Sequence, residues 1–437
     1  MFRKTTLSNG LRILTNKLEG TNAVTVLVLA GAGSRYETKE INGISHFLEH
    51  MFFKGGEKYK NSKEVAEMID GVGGDFNAFT GKEYAGYYVK VAKEKMDVAF
   101  DVLSDMMLNA KFDDAEIDKE RGVILEEYRM YQDTPMYQIG WNFENLVFGD
   151  QPMGWDEVGT EELIKNAKHE NFAKYKSQLY TTDNMVLVVC GNVDHDEIVA
   201  SAEKFFPMKQ SEKEYDFKPY EPLKEPKKVF LKKKSTEQAH LAIGYESYPE
   251  THPDHWVLKV LSVILGGNMS SRMFLNVREA HGLAYYVHTS TDNYMDTGLI
   301  STSAGVDVNR IYFAVEKIVN EYKKIVAGAG ADAGAGADAS AGGSDGITEE
   351  EVKKAQNFLK GKMVLGLEDS EEYAHLLAKY ELLHGKPKTP EEIMKEIDKV
   401  TLADVNRVAL DLFKPERLRL AVIGPYDDEK KFEELLK

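Results

Sequence analysis

Two similar α+β domains joined in tandem are the fold class this sequence predicts, and three observations carry the prediction. A chain of 437 residues is too long for one ordinary hydrophobic core. Its order of apolar strands and amphipathic helices runs once from the start and begins again after Pro226. Between the two runs, Pro207, Pro219, Pro222 and Pro226 stand among charged residues, which is linker chemistry. The expected division is 1–209, a linker at 210–227, and 228–437, each half a sandwich-like layering of helices on a sheet.

In the first half, residues 11–15 and 23–30 read as strands after an Asn9-Gly10 turn, with Val24, Val26 and Val28 sharing one face. A short helix around residues 44–53 and another at 62–69 come next. Gly71-Val72-Gly73-Gly74 breaks the pattern before a strand at 85–91. Helical period returns at 94–108 and 114–130, two more helices follow, and residues 184–191 form a buried strand before a helix at 194–205. The second half answers in the same order. Residues 239–244 correspond to 25–30, and 256–265 stand where the helix at 44–53 stood. The hairpin at 284–303 answers the strand after Gly74, and 310–326 answers 94–108. Both halves also close alike, at 175–194 and 412–427, with an apolar strand, a glycine and an acidic turn.

Composition removes several classes of function. With 43% hydrophobic and 29% charged residues the chain is an ordinary globular protein. Its net charge of −17 opposes nucleic acid, whose phosphates need a basic surface. No apolar run approaches the ~20 residues that cross a bilayer. The start passes directly into a turn and strand without a secretory apolar core, so a cytoplasmic protein is expected. The single cysteine, Cys190, lies in an apolar strand, which excludes an intrachain disulfide framework and a thiolate metal cluster. Residues 327–346 are nearly pure Ala, Gly, Asp and Ser; having nothing larger than Ala to bury, they are expected to form a flexible surface loop.

Chemistry concentrates in Gly43-Ile44-Ser45-His46-Phe47-Leu48-Glu49-His50-Met51-Phe52-Phe53. At about 100° per residue, His46, Glu49, His50 and Phe53 share one helix face, while Ile44, Phe47, Leu48, Met51 and Phe52 form a wholly apolar one. Imidazoles at i and i+4 can reach one zinc ion, and a carboxylate between them is placed to take a proton from a metal-activated water. This His-x-x-Glu-His order is the inverted zincin motif. The second half has no such set, so any metal site belongs to the first.

On these residues the chain resembles the pitrilysin-like zinc peptidases. It is most similar to their two-domain branch, which includes the mitochondrial processing peptidase and its small bacterial and archaeal relatives. The resemblance covers nearly everything except residues 327–346. In that family a glutamate separated from the second histidine by 76 residues completes the zinc site; the 76 residues 51–126 separate His50 from Glu127. Glu120, two turns earlier, stands where the family has a supporting acid. Asn77 and Ala78 match the family's edge strand, on which an extended peptide adds as a further strand, with Phe53 beside it as a substrate contact. Arg278 and Tyr285 match the family's Arg/Tyr pair, which would hold a substrate carbonyl and the oxyanion; Tyr286 next door leaves that register open. Where the processing peptidase's non-catalytic subunit carries a glycine-rich loop, only Gly266-Gly267 stand here.

The resemblance implies a zinc metalloendopeptidase acting on peptides or unfolded segments inside a dimer chamber. Zinc would be held by His46, His50 and Glu127, with Glu49 as general base. The family's long single-chain members look like two of these chains joined, with zinc in the first of four domains and the Arg/Tyr pair in the fourth. A homodimer with shared sites is therefore expected. The alternatives are a processing-peptidase subunit that needs a different partner chain, and a non-catalytic structural subunit of the kind found in a respiratory complex. Such structural subunits typically have an eroded metal motif, whereas His46, Glu49 and His50 are all present here.

Overall fold

The computed structural model describes residues 2–334 and 346–437. It contains two mixed sheets covered by helices, as the predicted α+β class requires. Strands β1 (Arg3–Thr6), β2 (Arg12–Lys17), β3 (Ala23–Ala30), β4 (Asp75–Thr80), β5 (Ala85–Ala92) and β6 (Met185–Gly191) form the first sheet, in the order β1-β2-β6-β3-β5-β4. Strands β7 (Val229–Lys233), β8 (Gln238–Ser247), β9 (Ala284–Asn293), β10 (Gly298–Asp307) and β11 (Arg419–Gly424) form the second, in the order β7-β11-β8-β10-β9.

The repeat read from the sequence is exact at the level of pairing. In the first sheet β2 runs parallel to β6, and every later pair, β6 with β3, β3 with β5, β5 with β4, is antiparallel. In the second, β7 is parallel to β11, and β11 with β8, β8 with β10 and β10 with β9 are antiparallel. Only β1 is additional. The two edge strands β4 and β9 thus occupy equivalent places, and each follows a helix: Ile44–Phe52 in the first copy, His255–Gly266 in the second.

The chain forms two compact units, each drawn from three stretches of sequence. One unit comprises Met1–Met130, Trp155–Lys218 and Val364–Pro390; the other comprises Tyr131–Gly154, Pro219–Met363 and Glu391–Lys437. A sheet buried on both faces needs cover on both, and here each half supplies one helix to the other's sheet. Helix Ser370–His384 lays Ala374, Leu377 and Ala378 on Leu14, Leu27, Leu29, Val186, Val188 and Cys190 of the first sheet. Helix Pro135–Phe148 lays Ile139, Phe143 and Val147 on Ala242, Leu299, Ala421 and Ile423 of the second. The former is pinned by Asp369, which caps its helix at Glu371 N (2.9 Å) and accepts from Lys90 of β5 (2.7 Å).

Cys190 is buried as expected, and burial pushes its thiol far above the ordinary range. The loop expected over 327–346 is corrected at its start. Helix Ile311–Gly334 continues through Ala327 and buries Ala329, because alanine is the strongest helix former and extending an existing helix costs little. The remainder of that expectation, to residue 345, lies outside the described residues. No helix among the described residues is long and apolar enough to cross a membrane.

Candidate metal centre

The helix Ile44–Phe52 is fixed at both ends of its amphipathic pattern. Ile44, Phe47, Leu48, Met51 and Phe52 are buried in the core. At its start, the carboxylate of Glu37 accepts hydrogen bonds from Gly43 N (2.7 Å), Ser45 N (2.9 Å) and Asn42 Nδ2 (3.0 Å). Gly43 has φ 104°, and a Cβ there would lie 2.6 Å from the carbonyl oxygen of Val158. Only glycine fits on both counts. Burial still raises the Glu37 carboxyl, to about 7, against the pull of Ser45 N–H, Asn42 and Gly43 N–H.

The opposite face meets the helix Asp114–Asp133, which presents Glu120 and Glu127 two turns apart. His46 Nε2 lies 3.7 Å from Glu127 Oε1, and His50 Nε2 lies 3.4 Å from Glu127 Oε2. One donor atom from each of the three can be chosen with all of them within 4.8 Å of one another. Tetrahedral zinc, with bonds of about 2.0–2.2 Å, sets its ligands roughly 3.3 Å apart, so this donor set fits such an ion. Glu120 accepts from His50 Nδ1 (2.9 Å) and also binds Lys54. His50 Nδ1 is thereby held as the donor to Glu120, and Nε2 faces Glu127, where it could bind a metal in exchange for its proton.

The electrostatics say the same. Burial opposes a charged His50, yet hydrogen bonds and fields from Glu120 and Glu127 outweigh it and raise the imidazole to about 9. His46 moves the other way, to about 4, through burial and the neighbouring His50. Burial also opposes ionisation of Glu120, but His50 and Lys54 hold its carboxyl below the usual range. Two acids around two imidazoles concentrate a proton where a cation would otherwise sit.

Glu49 is not part of the donor set. Burial pushes its carboxyl above the ordinary range, and Thr80 Oγ1, at the end of β4, donates to Glu49 Oε2 at 2.6 Å. Thr80 was not anticipated from the sequence; its only signal there is the period-two alternation that places Ala78 and Thr80 on one face of β4. β4 is the outer strand of its sheet and pairs only with β5 among the described residues. Asn77 Oδ1 accepts from its neighbour's amide, Ala78 N (2.9 Å). Phe53 ends the metal helix half-buried, its ring 5.6 Å from that of Phe76 on β4.

Arg278 and Tyr285 belong to the second unit. Arg278 sits in a π-helical turn, Phe274–Glu279, in which Ala280 N bonds Leu275 O five residues back (2.9 Å). Its guanidinium lies over the Phe274 ring, 4.7 Å from the centroid, and forms no ion pair among the described residues. A β-bulge places Tyr285 and Tyr286 differently. Gly305 pairs with Tyr286 and Val306 with Ala284, leaving Tyr285 as the extra residue. It is turned outward and 76% exposed, whereas Tyr286 is half-buried and bonded to His240 Nδ1 (3.0 Å).

The fold and this arrangement define a two-domain α+β protein with a His/His/Glu donor set and an adjacent, separately held acid. Comparison with known proteins takes the assignment further. Residues 12–147 match the family described as Insulinase (Peptidase family M16), and residues 166–334 match the one described as Peptidase M16 inactive domain. A Bacillus subtilis protein named as the uncharacterized zinc protease YmxG is 36% identical, covering 97% of this chain and 98% of that one. A Mycobacterium leprae protein, named as the uncharacterized zinc protease ML0855, is 35% identical over 98% of this chain and 92% of its own. Among solved structures, a protease from Helicobacter pylori superposes with TM-score 0.85 at 24% identity, covering 97% of this chain and 100% of that one. A Pseudomonas fluorescens structure described as a peptidase M16 inactive domain superposes at TM-score 0.86 with 14% identity, covering 98% of both chains. These two likenesses establish the fold. The chain belongs to the insulinase family, peptidase family M16, as a pitrilysin-like member of the two-domain kind.

Proposed function

We propose that this chain is a zinc metalloendopeptidase that hydrolyses peptides or unfolded segments bound in extended form. The observation that carries this reading is Glu49, held by Thr80 at 2.6 Å beside, and not within, the His46, His50 and Glu127 donor set. A zinc ion there, the metal in the names of the relatives, would polarise a scissile carbonyl and acidify a water to a pKa near 7. His46, His50 and Glu127 would hold it, while Glu120, anchored by Lys54, keeps His50 in the tautomer that binds. Glu49 would take the proton of the attacking water and pass it to the leaving amine.

The open edge of β4 supports an extended substrate. A peptide adding there would bond through its main chain at Asn77 and Ala78, with Phe53 at one side. Ala78 N would first have to exchange the Asn77 side chain for the substrate. A folded protein cannot present such a strand, so selection would act on conformation and size. Arg278 and Tyr285 would steady the substrate carbonyl and the oxyanion. Since the second copy of the fold has no metal set, the reading assigns these two to the site of a second copy of the chain, in a C2 homodimer.

Purified alone and tested on a peptide library, with product masses and bound metal measured, the chain should cleave and carry about one zinc. A zinc-loaded chain that cleaves nothing by itself would overturn the reading in favour of a subunit that needs a different partner, or of a structural role. Mixing tests the shared site. Glu49→Gln and Arg278→Ala dimers, each nearly inactive, should recover roughly a quarter of wild-type activity on subunit exchange, because half the dimers then hold one intact site of two. Proven exchange without recovery would show that Arg278 acts within its own chain.

A further inference from the structure

The second unit contains a cavity of about 340 Å³ that has no part in the chemistry above. One wall is apolar and comes from the proline-rich stretch and the second sheet's surroundings: Pro222, Leu223, Val147 and Leu412. That wall is built rather than incidental. Gln151 makes a reciprocal pair with the backbone of Glu221, Nε2 to O at 2.9 Å and Oε1 from N at 3.1 Å. Gly149, at φ 76°, lets Leu223 come so close that a Cβ would meet its Cδ2 at 2.6 Å. The opposite wall carries charge: Glu246, Asp411, Arg417 and Arg419.

The charges are unequally satisfied. Asp411 accepts from Tyr248 Oη (2.6 Å) and from Lys414 Nζ (3.3 Å). Glu246 accepts from Tyr220 Oη (3.1 Å) and Thr297 Oγ1 (3.5 Å). Burial raises its carboxyl against those hydroxyls and the nearby arginines. The cations meet these acids only through space, Glu246 acting on both arginines and Asp411 on Arg417. Arg419 is only 9% exposed, yet its Nη1 donates just to the carbonyls of Glu416 (3.0 Å) and Leu418 (3.2 Å). No carboxylate pairs with it among the described residues, nor does any side chain or carbonyl accept from its Nε or Nη2. Arg417, exposed at the rim, makes no side-chain hydrogen bond or ion pair there either. Glu246 lends Arg419 a field but no acceptor, and a planar guanidinium fork whose N–H groups lack acceptors suits a carboxylate.

We propose that this cavity binds a small organic carboxylate with an apolar body, the carboxylate on Arg417 and Arg419 and the body against Leu223, Pro222 and Leu412. The volume falls in the range of small-molecule sites, about 300–1,000 Å³. Two sources supply this chemistry, a free carboxylate metabolite and the C-terminal residue of a peptide.

The test uses the full chain, stripped of metal so that no peptide is cleaved, and calorimetry with N-acetyl-leucine against N-acetyl-leucinamide. The acid should bind saturably and the amide at least about tenfold more weakly, since the amide cannot accept from both guanidiniums as an anion does. Arg417→Gln, on an exposed side chain, should leave the melting temperature unchanged and remove the preference for the acid. Equal binding of acid and amide overturns the proposal. So does no binding of either at ~10 mM, or a preference that survives Arg417→Gln. A short peptide ending in leucine, compared with its own C-terminal amide, separates the sources. Tighter binding than N-acetyl-leucine, lost with the amide, assigns the cavity to peptide C-termini. Equal or weaker binding assigns it to free carboxylates.

Discussion

The helices Ile44–Phe52 and His255–Gly266 occupy the same topological place, one between β3 and β4, the other between β8 and β9. The first buries one face and leaves His46, Glu49 and His50 on the other. The second is buried almost all round: Val257, Leu258, Val260, Leu261, Val263, Ile264 and Leu265 are all in the core. Nothing in the backbone plan separates them. What differs is whether one stripe is kept polar and faced by acids from another helix, as Glu120 and Glu127 face the first. The edge strands diverge in parallel. β4 pairs on one side only among the described residues, and β9 presents a side chain, Tyr285, turned out by its bulge. On the proposed function, one architecture separates into a copy that would hold the metal and a copy that would supply donors.

The largest test of that contrast is His50→Ala. If the second copy holds no dormant site, bound zinc falls from about one per chain to none and cleavage disappears with it; metal analysis that still finds one equivalent would break the comparison. Glu49→Gln should keep its zinc and lower kcat/KM by about 10³-fold, as the proposed role of proton carrier rather than ligand requires; steady-state kinetics beside a zinc assay decide this. Tyr285→Phe should reduce kcat about 10²-fold, the size expected for one oxyanion donor. Metal content and melting temperature should be untouched, the side chain being exposed. Thr80→Val should cost kcat about tenfold through a mispositioned Glu49, with zinc retained and most of the rate restored in Thr80→Ser. A Ser variant as slow as Val would remove the hydroxyl from the account.

The smallest effect concerns stability. Asp369→Ala removes a helix cap worth about 1 kcal/mol, and the half-exposed pair with Lys90 adds little. Burial opposes ionisation of Asp369, but Lys90 and Glu371 N–H outweigh it and hold the carboxyl below its usual range. The folded state therefore binds this proton less readily than the unfolded chain. Its contribution is present above the ordinary Asp pKa and is lost as pH falls through the folded value. Thermal melts of wild type and Asp369→Ala should differ at neutral pH and converge in acid.

The first-copy chemistry was legible because His46, Glu49 and His50 are neighbours on one helix, where sequence spacing is geometry. Glu127 and Glu120 were not readable that way. They come from another helix, and only the family resemblance pointed to them. Glu37 left no local trace and Thr80 only a strand alternation, since each acts across a turn of chain that pattern cannot fold. How Tyr285 and Tyr286 are turned was not readable either, since it depends on the register shift opposite Gly305 and Val306. The division into units escaped for a related reason. An amphipathic helix declares that it has an apolar face and not which sheet will receive it, so Pro135–Phe148 and Ser370–His384 each read as belonging to the nearer half.

That exchange of helices has a temporal consequence. A ribosome that has released residues 1–209 has made every residue of the metal centre. Leu14, Leu27, Leu29, Val186 and Val188, though, still await Ala374, Leu377 and Ala378. The first sheet must keep an apolar face in water until more than a third of the chain has followed, the interval in which nascent proteins aggregate or recruit chaperones. Closure of that face is therefore tied to the near-completion of synthesis, and a truncated chain that ends before Ser370 has His46, His50 and Glu127 without the helix that covers their sheet.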